Sequence, residues 1–168
     1  MNKITGTIIT LNAEKYIQRA IESLQSICDE VIVLDSESTD STREIALKSG
    51  AKVFVQAFLG DGGQKKEASK FSTNNWIFSM DADEYLDNDL IELIKRINLD
   101  DDYDSYSFRR KNFCGDEWIK AAGFYPDEVT RLYDKTKVNY DTRADHAAVV
   151  STKTVSYTHL TLPTILRV

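Results

Sequence analysis

The sequence predicts one α/β domain, a three-layer α/β/α sandwich around a mixed, mostly parallel sheet. Three observations carry this. Short apolar runs alternate with stretches of helical period through the first hundred residues. Several of those runs are apolar on successive residues, as suits strands covered on both faces. Three of them stop at polar or acidic residues, where open α/β sheets bind ligands. A chain of 168 residues is enough for one such domain and short for two.

The first strand is Ile4 to Thr10, a β-branched run. Asn12 is placed to cap a helix whose apolar face is Tyr16, Ile17, Ala20, Ile21, Leu24 and Ile27. Glu30 to Asp35 reads as a buried parallel strand ending in a carboxylate. Ser41 with Glu44 fits a capping box, and Gly50 closes the helix that follows. Ala51 to Gln56 is a third strand. Residues 60–63 read as a glycine-rich loop, Gln64 to Ser72 as a short helix, and Trp76 to Met80 as a fourth strand stopping at Asp81. Leu90, Ile91, Ile94 and Ile97 form the stripe of another helix. Beyond it, Asp104 to Arg110, Glu128 to Tyr133 and Ala147 to Val155 suggest a mixed or antiparallel extension.

Composition narrows the function classes. A net charge of −6 argues against nucleic acid as a partner. The charge is uneven: Asp81 to Asp104 is dense in carboxylates, whereas Arg43 to Lys70 holds six basic residues. Solvated faces explain either run alone; together they suit an anion held beside a cation. No run approaches a membrane span, and the short, threonine-broken N-terminal run does not read as a signal peptide. Cys28 and Cys114 lack metal-like spacing, so free thiols in a reducing, cytoplasmic setting are expected, with a single disulfide left open.

The acidic turn is the sharpest feature. Asp81 and Asp83, two apart, would point to one side of extended backbone, where two hard oxygen ligands suit Mg²⁺ or Mn²⁺ bridging a diphosphate. The plainer alternative is that Asp83 or Asp87 caps the next helix. An EF-hand fails because Leu86 stands at the required glycine, and a Walker pair fails for want of a P-loop. A phosphatase of the Asp-x-Asp type is a weaker rival, since Tyr85 stands where Thr or Val is usual. Asp35 could accept hydrogen bonds from a ribose or base, or cap its own turn. The 60–63 loop with Lys65 and Lys66 could hold a phosphate at a helix start, or be a solvated loop.

Taken in order, Thr7–Asn12 (TIITLN), Val31–Thr42 (VIVLDSESTDST), Gly50–Val53 (GAKV), Gly63–Ala68 (GQKKEA), Trp76–Glu84 (WIFSMDADE), Tyr106–Phe113 (YSFRRKNF) and Gly123–Tyr133 (GFYPDEVTRLY) resemble the family-2 glycosyltransferases of GT-A fold. The bacterial branch containing lipopolysaccharide-core β-glucosyltransferases looks most similar, over roughly residues 3–150. The resemblance implies a nucleotide-sugar donor, most simply UDP-linked, and a saccharide or lipid-linked acceptor at the inner face of the cytoplasmic membrane. Thr10, Leu11 and Asn12 would lie along the base, with Asp35 and Ser36 near base or ribose. Gln64 and Lys65 would approach the diphosphate. Asp81, Ala82 and Asp83 would form the D-x-D turn, with Asp83 the direct ligand of Mg²⁺ or Mn²⁺.

The resemblance implies an inverting reaction, which needs one general base. Family members place such an acid a few residues before an Arg, so Asp127 is the first candidate, or else a turn residue after Pro126, with Glu128 the second and Arg131 serving the leaving phosphate or orienting the base. Trp118, Phe124 and Tyr125 could stack on acceptor sugars or simply fill a core. Arg109 and Arg110 could meet an anionic acceptor or be solvated. The sequence departs from the branch at Asp145-His146-Ala147, where V-H-E is usual, and this weakens a role for His146. It departs again at 156–168, which reads as a non-native tail on a truncated frame, the alternative being a genuine C-terminal strand. The tail reading leaves 1–155 as the domain, donor side to about residue 100, start of the acceptor side from 101. A sugar-phosphate nucleotidyltransferase is the rival enzyme, but Thr10-Leu11-Asn12-Ala13 stands where its glycine-rich loop belongs. A truncated nucleotide-binding domain without transfer is the non-catalytic rival.

Overall fold

A computed structural model describes residues 3–99, 103–114, 117–119, 127–141, 148–149, 151 and 153–166. Its first half is β1 (Ile4–Thr10), α1 (Ile17–Gln25), β2 (Glu30–Asp35), α2 (Thr42–Lys48), β3 (Lys52–Val55), α3 (Asp61–Lys70), β4 (Trp76–Asp81) and α4 (Asn88–Arg96). The second half is β5 (Ser105–Cys114), β6 (Glu117–Trp118), β7 (Asp127–Asp134) and β8 (Thr154–Leu166). The sheet order is β3-β2-β1-β4-β7-β5-β6, with β8 paired to β5. β3, β2, β1 and β4 are mutually parallel, whereas β7 runs antiparallel to both β4 and β5.

The two faces of the parallel half differ in chemistry. Ile4 and Ile8 of β1, Val31 and Val33 of β2, and Trp76, Phe78 and Met80 of β4 share one apolar core with Ile17, Ala20, Ile21 and Leu24 of α1 and with Leu90 and Ile94 of α4. Alternation turns Thr5, Thr7, Ser79 and Asp81 to the opposite face. There α3 lies against β1 and β2. Its sequence has no apolar stripe, and the residues it buries are Gly62, Gln64, Lys65, Ala68 and Ser69. This face is mixed, with Ile32, Leu34 and Ile77 buried beside the threonines, and the polar helix on it places an ammonium where the strand delivers a carboxylate.

Several expected starts and stops differ. Asn12 does not cap α1. It adopts a left-handed φ of 50°, accepts from the Thr39 backbone N–H through Oδ1 (2.8 Å), and donates its own N–H to Ser38 Oγ (2.8 Å). It ties the β1 exit to the β2 exit, and α1 begins later with no side-chain cap. The Ser41–Glu44 box does not form either: Asp40 Oδ1 accepts from Thr42 N–H (3.0 Å), and Glu44 pairs with Lys48 (2.6 Å). Gly50 (φ 84°) follows α2 as expected. Helix α3 starts at Asp61 and takes Gly62 and Gly63 into its first turn, because Gly60 (φ 82°, ψ 158°) makes the whole change of direction.

The antiparallel half carries one irregularity that matters. Leu132 pairs with Tyr106, but Thr130 pairs with the next β5 residue, Ser107, so Arg131 is the extra residue of a β-bulge. Bulges re-aim side chains. Strand β8 follows β5 from Ser105↔Thr154 to Cys114↔Leu166, with a register shift between Phe108 and Arg109. Residues 156–166 form the distal part of this strand.

Candidate active site at the strand ends

The site forms where β1, β2 and β4 end and β7 bulges. Asp81 and Asp83 are not related by strand alternation as expected, because the strand stops at Asp81. The Glu84 N–H donates to the Asp81 carbonyl (3.1 Å) and closes a turn over residues between. Asp87, rather than Asp83, caps α4, its Oδ1 accepting from the Leu90 N–H (2.9 Å). Asp83 is therefore not the cap of α4.

Asp81 is the meeting point of two cavities. The first, about 350 Å³, is lined by Ile9, Thr10, Leu11, Ser36, Phe58, Asp81, Ala82 and Asp83. The second, about 390 Å³, is lined by Asp61, Lys65, Asp81, Glu128, Arg131 and Arg110, together with Val129, Thr130, Ala148 and Val149. Lys65 Nζ lies 2.9 Å from Asp81 Oδ1, and Arg131 Nη2 lies 2.9 Å from Asp81 Oδ2. Lys65 also reaches Asp61 (3.4 Å). Arg131 also donates to Glu84 Oε1, which Arg110 Nη1 approaches at 3.2 Å. Arg110 Nε donates to Asp127 Oδ2 (2.7 Å), and Asn112 Nδ2 donates to the same oxygen (3.1 Å). Alternating charges thus run Asp61, Lys65, Asp81, Arg131, Glu84, Arg110, Asp127.

The electrostatics follow. Burial alone would raise the Asp81 carboxyl, but Arg131 and Lys65 outweigh it and hold the group well below the usual carboxylate range. Burial would lower Lys65, yet Asp81 raises it above an ordinary lysine. Arg131 is likewise held protonated, against burial, by Glu84 and Asp81. Its Nε has no hydrogen-bond partner among the described residues. Glu84 is fully enclosed, and its second oxygen accepts from the Asp81 N–H (3.1 Å).

The remaining expected residues fall as follows. Thr10 is buried at the end of β1, and Leu11 is half exposed on the first cavity. Asp35 is buried, its Oδ2 accepting from the Ser38 N–H (2.7 Å) while Oδ1 has no partner among the described residues. Gln64 is wholly buried: Nε2 donates to Ser36 Oγ (3.0 Å) and to the Gln56 carbonyl (3.2 Å), and Oε1 accepts from the Leu59 N–H (3.2 Å). Trp118 sits in β6 with the Lys111 ammonium 5.3 Å from its ring centroid, and it lines neither cavity. Phe124, Tyr125 and His146 lie outside the described residues. The sequence reading gave no role to Glu84, Asn112 or Phe58. The D-A-D-E run was the one signal for Glu84; nothing linear announced the bulge that turns Arg131 toward it.

A divalent cation fits this donor set in a particular way. Among the described residues no group of three or more His, Cys, Asp or Glu converges as a metal cage. Mg²⁺-type ions at diphosphates need only one or two carboxylates, with phosphate oxygens and water supplying the rest. Asp83 lies on the cavity wall, where a single carboxylate of that kind is compatible with such an ion.

A mixed, mostly parallel α/β sheet with an acidic turn where its strands end is a fold of GT-A type. The model of glycosyl transferase family 2 matches residues 7–157, and the chain belongs to that family. It is 40% identical over 165 residues to an uncharacterized glycosyltransferase of Rickettsia typhi, covering 94% of this chain and 56% of that protein. It is 30% identical over 149 residues to the lipopolysaccharide core biosynthesis glycosyltransferase LpsC of Rhizobium meliloti, covering 82% of this chain and 53% of that one. The chain thus spans about half the length of these curated relatives. Among solved structures, it resembles glucosyl-3-phosphoglycerate synthase from Mycobacterium tuberculosis, crystallised with Mn²⁺, UDP and glucosyl-3-phosphoglycerate. That match has a TM-score of 0.53 and 25% identity, covering 67% of this chain and 44% of the other. Among the described residues no helix is long and apolar enough to cross a membrane.

Proposed function

We propose that residues 1–155 form the catalytic domain of an inverting, metal-dependent glycosyltransferase. It moves a sugar from a UDP-linked donor to a saccharide or lipid-linked acceptor of the lipopolysaccharide core, at the inner face of the cytoplasmic membrane. The observation that carries this reading is the position of Asp81, shared between an apolar cavity and a charged one and bridged by Lys65 and Arg131. The apolar cavity suits a nucleoside, with Thr10, Leu11 and Ser36 on its wall; Asn12 and Asp35 brace the adjoining strand ends. The charged one suits a diphosphate and the acceptor. The relative named for lipopolysaccharide-core synthesis and the neighbour crystallised with Mn²⁺ and UDP support the same assignment.

Asp83 would hold Mg²⁺ or Mn²⁺, which supplies Lewis-acid stabilisation of the leaving diphosphate. Lys65 and Arg131 add fixed positive charge beside it, pre-positioned by Asp81 and Glu84, so no charge need be brought in during reaction. Asp127 would accept the acceptor hydroxyl proton, its carboxylate oriented by Arg110 and Asn112. Glu128, on the wall of the charged cavity, is the second candidate.

The test is a thermal-shift panel of nucleotide-sugars with Mn²⁺, followed by a UDP-release assay with saccharide acceptors. Stabilisation by UDP-sugars with UDP release is expected. Stabilisation without release would leave a nucleotide-binding domain, and no stabilisation by any nucleotide-sugar would overturn the reading.

A further inference from the structure

Phe58 is a large apolar side chain left 62% exposed, yet it lines the apolar cavity together with Thr10, Leu11 and Ala82. It sits in the segment between β3 and α3, which has no regular structure over residues 56–60. That segment is fastened from beneath on both sides of Phe58. Gln64, fully buried, donates to the Gln56 carbonyl (3.2 Å) and accepts from the Leu59 N–H (3.2 Å). Its amide is anchored in turn on Ser36 Oγ (3.0 Å), at the cavity wall. Gly60, with φ 82° and ψ 158°, then turns the chain into α3. The segment is therefore held on both sides of Phe58 and brings one aromatic ring to the wall of an apolar hollow of nucleoside size. An exposed aromatic held at the wall of such a hollow leaves one face unpaired, and a nucleobase has a π-face to offer it.

We infer that Phe58 is the cover of the donor's nucleobase, stacking on the base once it enters the apolar cavity, and that Gln64 is the positioning residue that holds the covering segment. This rests on the proposed donor site and assigns the residue that closes it. The buried Gln64 thereby acts through the loop rather than by touching the diphosphate.

The experiment titrates the 168-residue chain and its Phe58→Ala, Phe58→Leu and Phe58→Trp variants, in Mn²⁺, with UDP and separately with inorganic pyrophosphate. Loss of one base–aromatic stack weakens UDP binding about tenfold in Phe58→Ala. Phe58→Leu, apolar without a π-face, recovers little; Phe58→Trp recovers most. Pyrophosphate affinity is unchanged throughout, because Phe58 lines only the apolar cavity. Unchanged UDP affinity in Phe58→Ala overturns the inference, including the case where the variant instead loses binding to anionic lipid vesicles, which would make Phe58 a membrane contact. Equal losses for UDP and pyrophosphate also overturn it, since they would mark a collapsed site. A parent chain that binds pyrophosphate but not UDP overturns the donor reading itself and the cover with it. Gln64→Glu, which loses the amide donors, should weaken UDP in the same selective way; equal weakening of pyrophosphate would contradict a role through the loop.

Discussion

The two cavities that meet at Asp81 are built on opposite principles. One is walled by Ile9, Leu11, Phe58 and Ala82, with charge only at its Asp81–Asp83 edge. The other is walled by side chains that are costly to bury, Lys65, Arg131, Arg110 and Glu128 among them. An apolar wall asks nothing further of the fold. A charged wall must have every buried charge answered, and here the answers are prebuilt: Glu84 behind two arginines, Asp81 between Lys65 and Arg131, Arg110 and Asn112 on Asp127. The lesson is that the charged side of the site is held by a network, the apolar side by shape.

The sharpest way to break that contrast is Glu84→Gln. Removing the enclosed carboxylate leaves Arg131 and Arg110 facing each other with a neutral amide, and should cost about 3–5 kcal/mol in urea unfolding. A loss below about 1 kcal/mol would mean the charged wall is not supported from behind. Next is Asp127→Asn, which should retain UDP binding and lower transfer by roughly 10²–10⁴-fold, with Glu128→Gln far milder. If Glu128→Gln has the larger effect, the base belongs to the cavity wall itself.

A third prediction concerns the far end of the sheet, where Glu30 binds Lys52 (2.7 Å), Thr5 (2.7 Å) and Thr73. Burial would raise this carboxyl, but those bonds bring it from 4.5 to about 2. A depressed folded value stabilises above the unfolded pKa, so this contribution is present at neutral pH and lost as pH falls from about 4.5 to about 2. Urea midpoints measured across that window should fall more steeply for the parent than for Glu30→Gln; identical slopes would refute the assignment. The smallest effect is expected from ending the chain at Val155: among the described residues the two cavities are lined by other elements, so UDP affinity should change less than twofold while unpairing of β5 lowers the melting temperature. A tenfold loss of UDP affinity would show that β8 supports the site.

The parallel half was legible because β2 and β4 are apolar on successive residues and α1 and α4 carry apolar stripes; both follow from burying elements against a sheet. Asp35 and Asp81 at strand ends were legible for the same reason. Asn12 was misread because a cap and a left-handed tie favour the same residue type. The start of α3 was misread because two glycines look like a loop unless Gly60 is known to take the turn alone. Arg131 was read as functional from resemblance, but its contact with Asp81 depends on a bulge, a two-strand property that no single stretch of sequence displays. The pairing of β8 with β5 is equally nonlocal.

The most direct test of the account is calorimetric titration of UDP into the parent chain and into Asp83→Asn, each with and without Mn²⁺. The account predicts parent binding that strengthens on the order of a hundredfold with Mn²⁺, and an Asp83→Asn variant of unchanged stability in which Mn²⁺ brings no such gain. Equal, Mn²⁺-enhanced UDP binding by both chains would contradict it.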